Sequence, residues 1–310
     1  MTYISGTITN ANPAATLYAA VDTALSSAGY TLVDTVAIST RTHKVWKSPA
    51  ASNAANLDWY LDVAYTTTGA GHIGFYPFED YNATTHVAYR GMYGEQTSWT
   101  PDATYYSRFG STGSALETNW LPNGSGGGNA QIQTTLPTTA FGYWISITTS
   151  RVIAMYSTVP TSVYYTGLYT PSSLQTSNAA GSLFPLIGLR LDGTGIGGNY
   201  NYGMTRVPKI ITTINGYMSA YAAAPYAVTL PSIPGGITTA SGGYFASPIW
   251  LFTYSGFPNT IWGTLIDVKG AQTDATVTRA DTVSIGGETW LLGQRVLLNG
   301  YYVSALFKAV

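Results

Sequence analysis

The sequence predicts a mainly β fold, built of antiparallel sheets in a sandwich-like arrangement, α+β in its first part and carrying one clear N-terminal helix. Three observations predict it. From Ala140 to Tyr169 the chain reads AFGYWISITTSRVIAMYSTVPTSVYYTGLY, its densest cluster of β-branched and aromatic residues, the types that fit a pleated, half-buried surface. Turn chemistry, with 34 glycines and 15 prolines, interrupts apolar runs every few positions. Helical periodicity is clear in one place, just after Asn12-Pro13.

Taken in order, Asn12 is placed to cap free N–H groups and Pro13 is pre-shaped for a first turn. Leu17, Val21, Ala24, Leu25 and Ala28 fall on one face, and Gly29 is the expected stop. That face is narrow and Ala-rich, which suits packing on a sheet or on a neighbouring subunit. Strands are expected at 30–40 and 43–47. Asp58 to Tyr65 alternates, Trp59, Leu61, Val63 and Tyr65 on one face and Asp58, Tyr60 and Asp62 on the other, as in a half-buried strand. His72 to Tyr76 should pair with it across a turn. In the central stretch two strands flank the polar turn Thr148-Thr149-Ser150-Arg151, Pro160 ends the second, and a third runs from Val163 to Tyr169.

Beyond it, 183–191 reads as a buried strand and 193–203 as a glycine loop. A helix is an even choice for 208–223, because Ile210, Ile211, Ile214, Met218 and Tyr221 recur loosely while β-branched residues and Gly216 oppose it. Residues 224–243 are loop-like, and strands return at 249–254, 261–268, 282–285, 289–292 and 301–307. Gly286-Gly287 suits a tight hairpin turn. The expected organisation is a helix-plus-sheet region over 1–96, Gly/Ser/Pro-rich connecting loops over 97–139, and an antiparallel β domain with glycine-rich loops over 140–310.

At 310 residues the chain can bury a sizeable core. It contains no cysteine, so disulfides and thiolate chemistry are excluded. Only 9% of residues are Asp, Glu, Lys or Arg and the net charge is -1, against roughly 25% charged residues in ordinary domains. Such a surface favours association over a free monomer. With Lys absent between Lys47 and Lys209, no basic stripe suggests nucleic acid. The start lacks a signal-peptide pattern and no apolar run reaches the roughly 20 residues of a membrane span, so neither export by that route nor membrane insertion is expected.

Candidate chemistry is sparse, and no catalytic residue, cofactor or metal is expected. Gly193 to Gly198 fits GxGxxG, but Asn199-Tyr200-Asn201-Tyr202-Gly203 does not open a helix, and no acid follows before Asp267 to hold a ribose. Asp58 and Asp62 lie roughly 13 Å apart at strand rise, too far for paired-carboxylate hydrolysis. Adjacent Glu79 and Asp80 point oppositely if extended and are the least unfavourable acids for glycan cleavage; a solvated or turn role is the plainer reading for all of them. His43, His72 and His86 lack helical zinc spacing and read as structural. The unusual resource is aromatic: 25 tyrosines and 8 tryptophans. Tyr200, Tyr202, Tyr217, Tyr221, Tyr226 and Tyr244 stand among loops, where they would stack on glycans or bury against partner subunits.

Tyr143 to Ser157 (YWISITTSRVIAMYS), Tyr165 to Tyr169 with Phe184-Pro185-Leu186, and the closing Val283 to Trp290 and Tyr301 to Phe307 together resemble virion structural proteins of tailed bacteriophages, of the tail- or baseplate-associated type. The resemblance covers about half the chain. It implies a non-enzymatic virion component, assembled in the host cytoplasm, with other copies of itself and neighbouring virion proteins as partners. A virion protein that binds host-surface glycan is the alternative, and a glycan-degrading enzyme a more distant one.

Overall fold

The computed structural model describes residues 1–9, 11–38, 41–67, 71–91, 114–115, 133–157, 162–171, 186–192, 203–205, 220–223, 246–253, 261–273, 278–293, 296–298 and 301–309. Its order begins β1 (Thr2–Ile8), α1 (Pro13–Ser27), β2 (Thr31–Ile38), β3 (Arg41–Ser48), a 3-10 turn (Ala50–Ser52), β4 (Trp59–Thr66), β5 (His72–Asn82), β6 (Val87–Gly91), β7 (Ser114–Ala115) and β8 (Gln133–Thr135). It continues with β9 (Phe141–Thr148), β10 (Arg151–Tyr156), β11 (Ser162–Pro171), β12 (Leu186–Asp192), β13 (Gly203–Thr205), β14 (Ala220–Ala223) and β15 (Ala246–Thr253). The last five strands are β16 (Ile261–Thr273), β17 (Thr282–Ile285), β18 (Glu288–Leu292), β19 (Val296–Leu298) and β20 (Tyr301–Lys308). The fold is mainly β and antiparallel, with α1 near the N-terminus, as expected.

Helix α1 stops as its sequence predicts. Gly29 takes φ 91°, its N–H bonds to the Ser26 carbonyl, and the Tyr30 N–H reaches back to Leu25. This double bond satisfies carbonyls that the last turn leaves open. At the other end Asn12 occupies the cap position without a side-chain cap bond. Leu17, Val21 and Leu25 are fully buried, worth about 1.5–3 kcal/mol each on the transfer scale. The helix's apolar face is therefore covered by its own chain.

Two sheets organise the rest. The smaller runs β2-β3-β4-β5-β6-β7, with β8 on β5; the larger runs β1-β9-β10-β11-β16-β20-β18-β17, with β12 and β13, β14 and β15, and β19 as side branches. Strand β11 turns the corner of the large sheet. Residues 162–168 pair with β12, whereas Tyr169 to Pro171 pair with β16. Gly167 sits at this bend with φ 140°, and a Cβ there would press on the Ser150 carbonyl and the Arg151 backbone. Only glycine fits both demands.

The folded-over sheet makes three layers. One core joins α1 and the small sheet (Trp46, Trp59, Leu61, Phe75) to one face of the central strands, through Ile145, Ile147, Val152 and Ala154. A second core joins their other face, through Ile153, Met155, Val163 and Tyr165, to Leu265, Leu291 and Phe307 of the last strands. All six residues of β10 are buried. A strand covered on both sides needs apolar residues on both, which is why Val152 to Tyr156 does not alternate.

The structure also departs from sequence expectation. Ala220 to Ala223, placed in the even-odds helix, is strand β14 paired with β15; pairing to an existing strand outweighs a weak local propensity. Residues 208–219 of that helix, and the loops 193–202 and 224–243, lie outside the described residues. Pairing also joins strands on either side of the expected bounds at residues 96 and 140. Strand β1 pairs along its whole length with β9, and β8 pairs with β5.

Candidate functional site

Of the six tyrosines singled out, Tyr221 lies in β14 opposite Phe252 rather than in a loop. Tyr200, Tyr202, Tyr217, Tyr226 and Tyr244 lie outside the described residues. Two groups of ionisable side chains bear on a site, one on the small sheet and one between the layers; Lys308 and Glu288 form a separate pair on the last strands.

On the small sheet the antiparallel register pairs His43 with Ala64 and Val45 with Asp62, making His43 and Asp62 diagonal neighbours. His43 Nδ1 donates to Asp62 Oδ2 at 2.8 Å. The two side chains are 1% and 4% exposed, so Asp62 does not belong to a solvated face as its alternation suggested. The expected alternation fails there because this second face is also buried, Val45, Ala64 and Phe78 being inaccessible. A His–Asp pair can orient an imidazole, but a general base must reach its substrate's proton, and this ring is enclosed.

Nearer the surface, Asp34 collects three donors. Tyr81 Oη donates to Oδ2, His86 Nδ1 lies 2.7 Å from the same oxygen, and the Thr35 N–H bonds to Oδ1 at 2.7 Å. Burial pushes the carboxyl up, yet the bonds from Tyr81, His86 and Thr35 outweigh it and hold Asp34 below the usual carboxylate value. Tyr81 moves the other way, raised by burial and by the Asp34 charge. His72 stands apart: burial, then the Arg41 charge, lower its pKa. The three histidines thus go to three separate settings.

Asp58 is exposed and pairs with Lys47 at 2.8 Å. Glu79 is buried and Asp80 exposed, the opposite orientation that their adjacency implies. Among the described residues no three His, Asp or Glu converge in a way that would hold a metal ion, and no helix there is long and apolar enough to cross a membrane.

The second cluster surrounds the turn between β9 and β10, which sequence marks only as polar. Tyr30 Oη donates to the Thr148 carbonyl at 2.8 Å, and Trp59 Nε1 to that of Thr149 at 3.0 Å. Ser48 Oγ bonds to Thr149 O, Thr149 Oγ1 to Ser52 O, and the Ala54 N–H to Ser150 Oγ at 2.9 Å. Behind the turn Arg151 is fully buried. Its Nε and Nη2 reach Asp267 Oδ2 at 3.2 and 2.9 Å, and Nη1 reaches the Ser146 carbonyl at 2.7 Å. Burial pulls the guanidinium pKa down and Asp267 pushes back, leaving a paired cation in the interior. Ser146 Oγ also bonds to the Lys308 carbonyl. These contacts tie the small sheet, the central strands, β16 and β20 into one joint.

Sequence reasoning missed this joint because Arg151 sits in a Thr-Thr-Ser-Arg run that reads as a solvated turn, and its partner is 116 residues away. The His43–Asp62 pair was within reach once the hairpin register was counted. Neither a known protein-family model nor a curated protein sequence matches the chain.

Proposed function

We propose that the chain is a non-enzymatic structural protein of a bacteriophage virion, a tail or baseplate component that acts by assembling with copies of itself and with neighbouring virion proteins. The observation that carries this reading is where the scarce charges go. In a chain with 9% charged residues, the fully buried Arg151, tied to the partly exposed Asp267, and the buried His43–Asp62 pair join elements of the fold rather than opening towards a cleft. Layers tied together in this way, in a chain with few charges, suit a subunit whose surface is covered by other subunits. The resemblance of Tyr143 to Ser157 and of the closing strands to virion proteins supplies the context.

The test is mass spectrometry of density-purified phage particles from the source culture. The chain should be present in several copies per particle. Its absence from particles, with binding of the recombinant protein to purified host polysaccharide, would overturn the structural reading in favour of a glycan-binding one.

A further inference from the structure

We propose that the outer edge of β1, continued by the exposed face of α1, is where a second copy of this chain docks, the two β1 strands pairing antiparallel so that the large sheet runs on from one copy into the next. The inference rests on the assembly part of the proposed function and names the surface that performs it.

Among the described residues β1 pairs with β9 alone, and Ser5, Gly6 and Thr7 are exposed. No described strand takes up the main-chain donors and acceptors on its other side, which another strand can complete. Edge strands are normally guarded by Lys, Pro, a bulge or an inward charge. Thr2 to Ile8 reads TYISGTI and has no such residue, and its register with β9 is uninterrupted. The other strands that end the two main paths differ, β7 being only two residues long. Strand β2 carries Asp34 and an irregular register between Leu32 and Asp34, and β17 is four residues long.

Charge singles out the same region. From Thr2 to Val33 the one charged residue is Asp22, which accepts a bond from Tyr18 Oη and lies 3.7 Å from Lys44 Nζ. The outward positions of α1, Ala19, Thr23, Ser26 and Ser27, are exposed and uncharged. A second copy is the occupant this surface fits. In a two-fold contact each residue meets its own kind or a near neighbour, and the strand from Thr2 to Ile8 carries no charge to meet its like. With the axis at Ser5, Ser5 faces Ser5, Ile4 faces Gly6 and Tyr3 faces Thr7, all sterically mild pairs.

The test is light-scattering mass of the full chain over a dilution series, for the wild type, Ser5→Lys, Ser5→Glu and an equimolar mixture of the two. The wild type should show a multiple of 32.9 kDa, each variant half that multiple or less with unchanged circular dichroism, and the mixture should regain the wild-type mass. Because the chain has no cysteine, Ser5→Cys gives a second readout: oxidation should cross-link it into dimers, whereas the exposed control Thr289→Cys should not cross-link. A wild-type oligomer that both charged variants leave intact would overturn the β1 interface while leaving assembly standing. A wild type that stays at 32.9 kDa throughout would overturn the interface and count against assembly as well.

Discussion

Two hairpin turns of this protein, one of two residues and one of four, meet opposite fates. The turn from β9 to β10 reverses over Thr149 and Ser150, and hydrogen bonds from Tyr30, Ser48, Trp59 and Ala54 reach it from outside its own hairpin. The turn from β5 to β6 is held mostly by itself. Asn82 Oδ1 accepts the Thr84 and Thr85 N–H groups at 2.9 and 3.1 Å, His86 takes φ 55°, and its long-range tie is to Asp34. A buried turn must place every polar group on a partner, whereas an exposed one leaves that to water. The first turn is consequently an anchor between layers and the second a local clip.

Disturbing the anchor should cost most. Asp267→Asn keeps a residue that tolerates the φ of 58° found there but strips the buried Arg151 of its counter-charge, and should lower unfolding free energy by about 3 kcal/mol. Urea denaturation measures it. The double variant Arg151→Met with Asp267→Asn should recover a large part of that loss, because it removes the stranded charge; an additive result would mean that the pair is not coupled.

Gly167→Ala probes the same joint from the β11 side. The new methyl meets the Ser150 carbonyl at a φ of 140°, so stability should fall by about 2 kcal/mol. A neutral outcome in thermal denaturation would show that the corner of the large sheet can relax.

The clip should respond least. Asp34→Asn should cost about 1 kcal/mol at neutral pH, the scale of a weakened hydrogen-bond set. Asp34 is held below its ordinary value when folded. Its contribution is therefore fully present above the unfolded carboxylate value near pH ~4, and is lost as pH falls through the lower folded value. Wild type and variant should converge in acid. A difference that does not shrink as the pH is lowered through the acid range would mean that Asp34 acts through packing rather than charge.

Much of this architecture was legible because it rests on local signals. Asn12-Pro13 and Gly29 bracket α1, alternation marks β4, and Gly286-Gly287 makes the turn of the β17–β18 hairpin, at φ 62° and 82°. Each depends on backbone preference within a few residues. The candidate site was far less legible. Tyr221 looked like a helix or loop residue and is a strand residue; Asp62 looked solvated and is buried; Arg151 looked like turn punctuation and is the centre of a joint.

The sequence by itself determined the antiparallel β class, the helix with its stop and the scarcity of charge, since periodicity, turn chemistry and composition are written residue by residue. Only the tertiary structure decided which strands meet across long separations. Among these are β1 with β9, Arg151 with Asp267, and the closing strands over the second face of β10. Burial and pairing over a hundred residues are properties of the packed chain, where one layer's cover decides whether a polar residue faces water or a partner.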